Sequence, residues 1–593
     1  MCGISGILSK NNSAIDLNIL KSFNNVMTNR GPDSEGYYIS PLKNLGLGHR
    51  RLSIIDLSPQ ASQPFISDNG KYSIVFNGEI YNFIEIRSEL KKAGYSFRTH
   101  SDTEVLLNLY LKEGTKMLNT IRGMFAFAIW DNENQTLFIA RDPFGIKPLY
   151  YSINDDYFVF ASQVRALLMA PFINKNKSAA GTVGFFLFGS VPEPFTIYED
   201  IKVLPAGSYL LMNNGLCTIY NYFTPINRFL ELKSKYKEGD VVPDINDLIN
   251  NTIHRHLISD VEVGVFLSSG IDSTTILGVC SEVNSNIKTF TLGFDEYRGT
   301  SFDETKLAEL VSKYYGSDHK TVWLSKNDLV NDYDRIFSQM DQPTINGINT
   351  YFVSKITALN GIKVALSGLG GDELFGGYSD FKIIPKIVKL GKYFSNTYLQ
   401  NLVSLMFEQS IFLHKNPKLN QLFNYNQSYS KAYVLKKLLF MPDELFDILD
   451  NDLVIKGLDE LSFNYLGDNI VKHVGENQLA ISLLEIEFYM KNQLLRDSDW
   501  ASMAHSLEIR VPLVDIHVFD AVILNYLNGR QLTKLDLPNS IKIRSLPDYI
   551  LNRKKTGFSI PVKDWILDAY SSKEKGLRSW SKLVYNEYIK RNN

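Results

Sequence analysis

Apolar positions along the chain follow two different rhythms. In the first third, residues 2–7 alternate apolar with small residues at period two, and residues 72–76 form a second strand-like run. Beyond residue 244, strands and helices take turns. Ile245, Leu248, Ile249, Ile253 and Leu257 share one helical face, with Asp244 placed to cap it. Residues 263–267 predict a buried strand and residues 275–280 the first turns of a helix. Residues 288–294, 320–324 and 363–367 predict further strands. Residues 303–315, the stretch ending at Phe337 and residues 349–359 predict helices, and a mainly helical tail follows Leu513. Such alternation specifies a parallel sheet with right-handed crossovers, whose ligands lie beyond the C-terminal ends of the strands. The loops after Leu267 and Leu366 are both expected to open on that edge.

At 593 residues the chain exceeds what one core serves, so two or more domains are expected. Asn213-Asn214-Gly215 reads as a hairpin turn leading into a strand at residues 216–220, and residues 231–240 are charged and weakly patterned. The divisions expected are therefore 2–210, a linker region 211–243, and 244–593. A net charge of −2 gives no electrostatic reason to propose nucleic acid or an anionic membrane as partner. No run of about 18 apolar residues suggests a membrane span. Residues 1–10 lack the basic start and long apolar core of a signal peptide. Cys2, Cys217 and Cys280 are too few and too dispersed for a disulfide framework or zinc cluster. A reducing cytoplasm is the expected compartment.

The turn after residue 267 is Ser268-Ser269-Gly270-Ile271-Asp272-Ser273-Thr274. At a helix start it points backbone N–H groups and the positive end of the helix dipole at one spot, which suits a phosphate. Asp272 supplies a carboxylate for a divalent cation bridging phosphate oxygens. Small residues suit any tight turn equally well, and neither the P-loop nor the dinucleotide glycine pattern is present. The segment resembles the pyrophosphate-binding signature S-G-G-x-D-S of ATP pyrophosphatase domains, with Ser269 at the first Gly.

Cys2 becomes the N-terminus if Met1 is trimmed, and a terminal Cys joins a nucleophile to an amine of pKa roughly 7.7–8.0 that can accept its proton. Arg30-Gly31-Pro32-Asp33 is a turn. His49 to Asp56 starts basic and becomes a strand, and Asn77-Gly78 follows the strand at 72–76. His100 to Glu104 opens a helix with Ser101 or Asp102 as cap. Each also has an ordinary explanation: a type I′ turn for Asn77-Gly78, a cap for Asp102, a surface ion pair for Arg51. Together, and with Arg141 to Tyr151, they resemble the N-terminal-nucleophile (class II) glutamine amidotransferase domain over residues 2 to about 210. The resemblance implies an α+β fold of two packed sheets covered by helices, with Cys2 as nucleophile and glutamine as substrate. It implies an oxyanion hole from Asn77 and Gly78, an α-carboxylate site at Arg51 and glutamine contacts from Leu52, Ser53, Ile54 and Ile55. Glu79 and Asp102, with Asn82 nearby, would hold the α-ammonium. His49 is better read as structural.

A second loop, residues 367–378, carries five glycines before Tyr378 together with Asp372 and Glu373. Residues 495–513 and 550–561 follow, the latter with Arg553, Lys554 and Lys555. These segments and the 263–274 turn resemble asparagine synthetase over residues 244 to about 570. The resemblance implies an α/β ATP-pyrophosphatase domain with a mainly helical C-terminal part, ATP as substrate and Mg²⁺ as cofactor. A carboxylate, aspartate foremost, would be adenylated and then amidated by ammonia. Leu267, Ser268, Ser269, Gly270, Ser273, Leu292, Ser367 and Gly368 would line the ATP site. Asp272 and Asp372 would bind Mg²⁺, Leu369, Asp372 and Glu373 would face the acceptor, and Lys555 would serve adenylation. Two positions depart from the family: Leu369 stands where Glu or Asp is usual, and Gln342 where many members have Glu. A different acceptor, a sugar acid or a peptide, therefore stays open, as does a glutamine or nucleotide sensor without turnover. A homodimer is compatible with the sequence, which does not fix the oligomeric state.

Overall fold

The structure is a computed structural model that describes residues 2–284, 286–393, 417–551, 553, 561, 565 and 576–592. Two six-stranded antiparallel sheets come first. One runs in spatial order Lys202–Val203, Tyr150–Ile153, Tyr157–Ala161, Gly3–Ser9, Leu45–Arg51, Ser34–Ile39; the other is Leu216–Asn221, Ser208–Asn213, Thr136–Arg141, Gly123–Asp131, Tyr72–Ile80, Phe65–Ile66. Period-two alternation sorts their side chains. Ala126, Ala128 and Trp130 pack with Ile4, Leu8 and Phe160 between the sheets. Phe125, Phe127 and Ile129 on the opposite face meet Ile86, Leu90, Val105 and Leu109 of two covering helices. Ile7 and Val159 meet Leu20 and Phe23 of the helix Leu17–Val26 on the far side of the first sheet. The result is helix, sheet, sheet, helix, with both sheets buried on two faces.

The third sheet is parallel throughout, in spatial order Asp318–Leu324, Lys288–Phe294, Val263–Phe266, Val364–Leu366, Glu508–Arg510. Its first and fourth strands in chain order lie side by side at the centre, so their following loops diverge from one crevice, the topological switch point of an open α/β sheet. The expected helices are present, among them Ile245–His256, capped by Asp244 accepting from the Asn246 N–H, and Ile271–Val283. The part after residue 417 is mainly helical.

Several expectations change. The strand read into the run from His49 to Asp56 lies earlier, at Leu45–Arg51, and residues 52–56 form a loop. Asn77-Gly78 is no turn: the strand runs on through Tyr72–Ile80, paired over all nine residues with Gly123–Asp131. The hairpin turn at Asn214-Gly215 is as expected, with both residues at positive φ. Its strands, however, belong to the second sheet, and the helix Pro225–Lys235 follows, so much of 211–243 is regular structure. Residues 371–375 form a short helix rather than an open loop, and Glu508–Arg510 adds a fifth strand that no pattern announced.

Candidate active site

Three contacts fix Cys2 just before the Gly3–Ser9 strand. Its backbone N donates to Asn77 Oδ1 at 3.0 Å, its carbonyl accepts from Arg30 Nε at 3.0 Å, and its Sγ lies 3.9 Å from Leu52 O. The thiol opens on a cavity of about 30 Å³ lined by Cys2, Arg51, Leu52, Ile54, Ile55, Gly78, Glu79 and Asp102. Asn77 is fully buried, and its Nδ2 makes no hydrogen bond among the described residues. Gly78 is required by proximity: a Cβ there would lie 2.1 Å from Met124 O on the neighbouring strand. Arg51 is buried, and the carbonyls of Ser58 (3.0 Å) and Asp56 hold its guanidinium. Ser101 caps the helix Asp102–Glu113 by accepting from the Thr103 N–H, which leaves the Asp102 carboxylate to accept from the Ile80 N–H at 3.1 Å.

Burial sets the electrostatics of this cavity. It lifts Asp102 to about 6 and pushes the Cys2 thiol above its ordinary value. Burial and Glu508 push Glu79 upward, while the Arg510 guanidinium at 3.3 Å favours its charged form. His49 is held neutral, its pKa lowered by burial to about 3, with Nε2 on Phe76 O at 3.1 Å. It braces the strand that carries Asn77. Two expected residues stand elsewhere. The Asn82 amide bridges Thr120 O (2.9 Å) and the Arg122 N–H (2.9 Å), and the Ser53 N–H is taken by Asp33 at 2.8 Å; neither lines the cavity.

At the parallel-sheet edge, Ser273 Oγ lies 2.9 Å from Ser268 Oγ and donates to Ser268 O at 2.7 Å, which curls the 268–273 turn over the helix start. Leu267 and Leu292 are buried beside it, and the Leu267 N–H pairs with Phe290 O. Arg553 holds Ser269, donating to its carbonyl at 3.2 Å and to its hydroxyl. The second loop lies directly on the first. A Cβ on Gly368 would stand 2.9 Å from Asp272 Cβ, and one on Gly371 2.6 Å from Asp272 Cγ. That closeness sets Asp272 and Asp372 around a shared cation, Lys534, whose Nζ is 2.5 Å from Asp272 Oδ2 and in contact with Asp372 Oδ1. Burial raises Glu373 to about 7; its Oε1 accepts from Tyr378 OH at 2.5 Å and its Oε2 has no hydrogen bond among the described residues. Leu369 packs against the apolar core beneath. Gln342 is buried, its Oε1 accepting from the Ile197 N–H at 3.2 Å. Lys555 lies outside the described residues.

Known families match both halves. The glutamine amidotransferase domain family matches residues 1–223 and the asparagine synthase family residues 244–591. This chain belongs to the asparagine synthase family. A Bacillus subtilis relative named asparagine synthetase (glutamine-hydrolysing) is 34% identical over 588 residues, covering 95% of this chain and 88% of that one. A putative asparagine synthetase of Methanocaldococcus jannaschii is 35% identical, covering 64% of this chain and 76% of its own length. The Gibberella zeae protein named amidase chry2 is 27% identical, covering 88% and 78%. Two features of this asparagine synthase-family chain escaped its sequence: Glu508 and Arg510, paired with each other behind Glu79 of the first cavity, and Lys534 between the carboxylates of the second. The former lie in a strand of only three residues, too short to leave a period. Lys534 sits in a 3₁₀ turn, Lys534–Ser540, with no local signature.

Proposed function

We propose that the chain makes asparagine from aspartate, with ammonia released from glutamine at Cys2 and the acceptor carboxylate activated by ATP at the parallel-sheet edge. The observation that carries this reading is Asn77. A fully buried amide beside Cys2 keeps an unpartnered N–H₂, and a buried donor without a partner needs a reason. A developing oxyanion is that reason.

Once Met1 is removed, the Cys2 amine takes the thiol proton and the sulfur adds to the side-chain amide carbon of glutamine. The oxyanion accepts from Asn77 Nδ2 and the Gly78 N–H. Ammonia departs with the returned proton, and water then cleaves the thioester to glutamate. Arg51 binds the α-carboxylate; Glu79 and Asp102 hold the α-ammonium. At the other site the N–H groups at the start of Ile271–Val283 receive the pyrophosphate portion of ATP. Asp272 and Asp372 would hold Mg²⁺, a fit supported by the ammonium of Lys534 already between them; bound there, the ion neutralises phosphate oxygens. A carboxylate oxygen of the acceptor attacks the α-phosphorus and pyrophosphate leaves; ammonia then adds to the acyl carbon and AMP leaves. Leu369 offers nothing to an aspartate α-ammonium, but Glu373, with an unpartnered carboxylate oxygen in the same loop, does.

Only uncharged ammonia is nucleophilic, so a path shielded from water would keep it reactive. Leu52, Ile54, Tyr81 and Met124 of the first half share one continuous apolar cluster with Val265, Leu267 and Leu366 of the second. Leu369 also favours a second reading, in which the same chemistry amidates an acceptor without an α-ammonium. Pyrophosphate release by the full chain, measured with glutamine, Mg-ATP and a panel of carboxylates, decides between them. Stimulation by aspartate with asparagine as product supports the first reading; silence with aspartate and response to a sugar acid or peptide transfers the assignment to the second.

A further inference from the structure

Arg510 touches both sites. Its carbonyl accepts the N–H of Ser367, the residue that opens the Asp372 loop, at 2.9 Å. Its side chain is fully buried and reaches the other way. Nε pairs with Glu508 at 2.7 Å, and Nη1 donates to the carbonyls of His256 (2.8 Å) and Ile258 (2.7 Å). Nη2 lies 3.3 Å from Glu79 Oε1, in the wall of the Cys2 cavity. One guanidinium therefore pairs with two carboxylates from different halves of the chain, while its own backbone fixes the start of the second loop. An α-ammonium arriving between Glu79 and Asp102 meets an Arg510 already paired with the first of them.

We propose that Arg510 is a positioning residue that couples the two sites. Glutamine's ammonium competes for Glu79, Arg510 shifts its pairing toward Glu508, and the Glu508–Arg510 strand passes the change to Ser367 and the Asp372 loop. This rests on the glutamine and ATP sites proposed above. Coupling between binding sites is reciprocal and typically amounts to roughly 5–150-fold in affinity, so it can be read from either end.

The test uses full-length Cys2→Ala protein, which binds glutamine without consuming it. Glutamine affinity is measured calorimetrically with and without Mg²⁺ and α,β-methylene ATP. The expected result is a change of at least about fivefold in the Cys2→Ala parent. With Arg510→Lys added, which keeps the charge but loses the fork, the two affinities should agree within about twofold while glutamine still binds. Equal affinities in the parent, or an undiminished ratio in the Arg510→Lys protein, overturns the proposal. If Arg510→Lys does not fold, Glu79→Gln in the same background supplies the second measurement. Its affinity for α,β-methylene ATP without glutamine should then differ from the parent's about fivefold, and an unchanged value overturns the proposal. A parent that binds neither ligand sinks the proposed function, and this inference with it.

Discussion

Cys2 supplies a thiol to the first cavity and nothing to the parallel-sheet edge. Cys2→Ala is therefore expected to abolish glutamate release from glutamine while ammonia-driven pyrophosphate release continues, both assayed on one purified preparation; surviving glutaminase activity would remove Cys2 from the mechanism. Asp102 adds a pH limb. Burial raises it from 3.8 to about 6, so the charge proposed to meet an α-ammonium disappears as pH falls through 6. The KM for glutamine should rise below that pH, and Asp102→Asn should flatten the rise. Because the folded pKa exceeds the unfolded one, the fold favours the protonated acid, and the contribution of Asp102 to stability declines as pH climbs from about 3.8 to about 6. Much of this cavity was legible, since Cys2, Arg51, Gly78, Glu79 and Asp102 each sit in a short motif with a chemical reason. The motif around Asn82 does not reveal that Thr120 and Arg122 use both ends of its amide. Arg510, Glu508 and Lys534 come from far along the chain, and only tertiary structure introduces them to their partners.

The strand Tyr72–Ile80 shows where local signals lose. Asn-Gly favours a two-residue turn, yet nine paired positions against Gly123–Asp131 keep the strand straight through it. Gly78→Ala should therefore cost about 1–3 kcal/mol through collision with Met124 O, seen as a lower denaturation midpoint together with lost glutaminase activity. A mutant of unchanged midpoint would contradict the close packing. At the parallel edge, Asp272→Asn and Asp372→Asn are each expected to suppress pyrophosphate release and spare glutamine hydrolysis. Wild-type pyrophosphate release in either variant would refute the cation assignment. The strand at 263–267 was readable because a sheet covered on both faces leaves a continuous apolar run. Glu508–Arg510, with three residues, is too short to leave a period, and its charges read as surface until their burial is known.

Between the halves, Arg30 and Asp499 form a buried bidentate pair at 2.6 and 2.9 Å, and Arg30 Nε holds the Cys2 carbonyl. Asp499→Ala should cost about 3–5 kcal/mol in denaturant unfolding by stranding a buried guanidinium, and should weaken glutamine hydrolysis although Asp499 is absent from the cavity lining. The two-half plan was legible because each half carries its own rhythm; this join was not, because it pairs single residues 469 positions apart. That separation has a meaning in time. A ribosome adding roughly 5–20 residues per second needs roughly 25–90 s to pass from Arg30 to Asp499. Through that interval the nascent chain has its thiol but not the clamp that fixes it. On the proposed function, the thiol is locked only after the strands of the parallel sheet up to Leu366 have been made, and a half-built chain should be a poor consumer of glutamine.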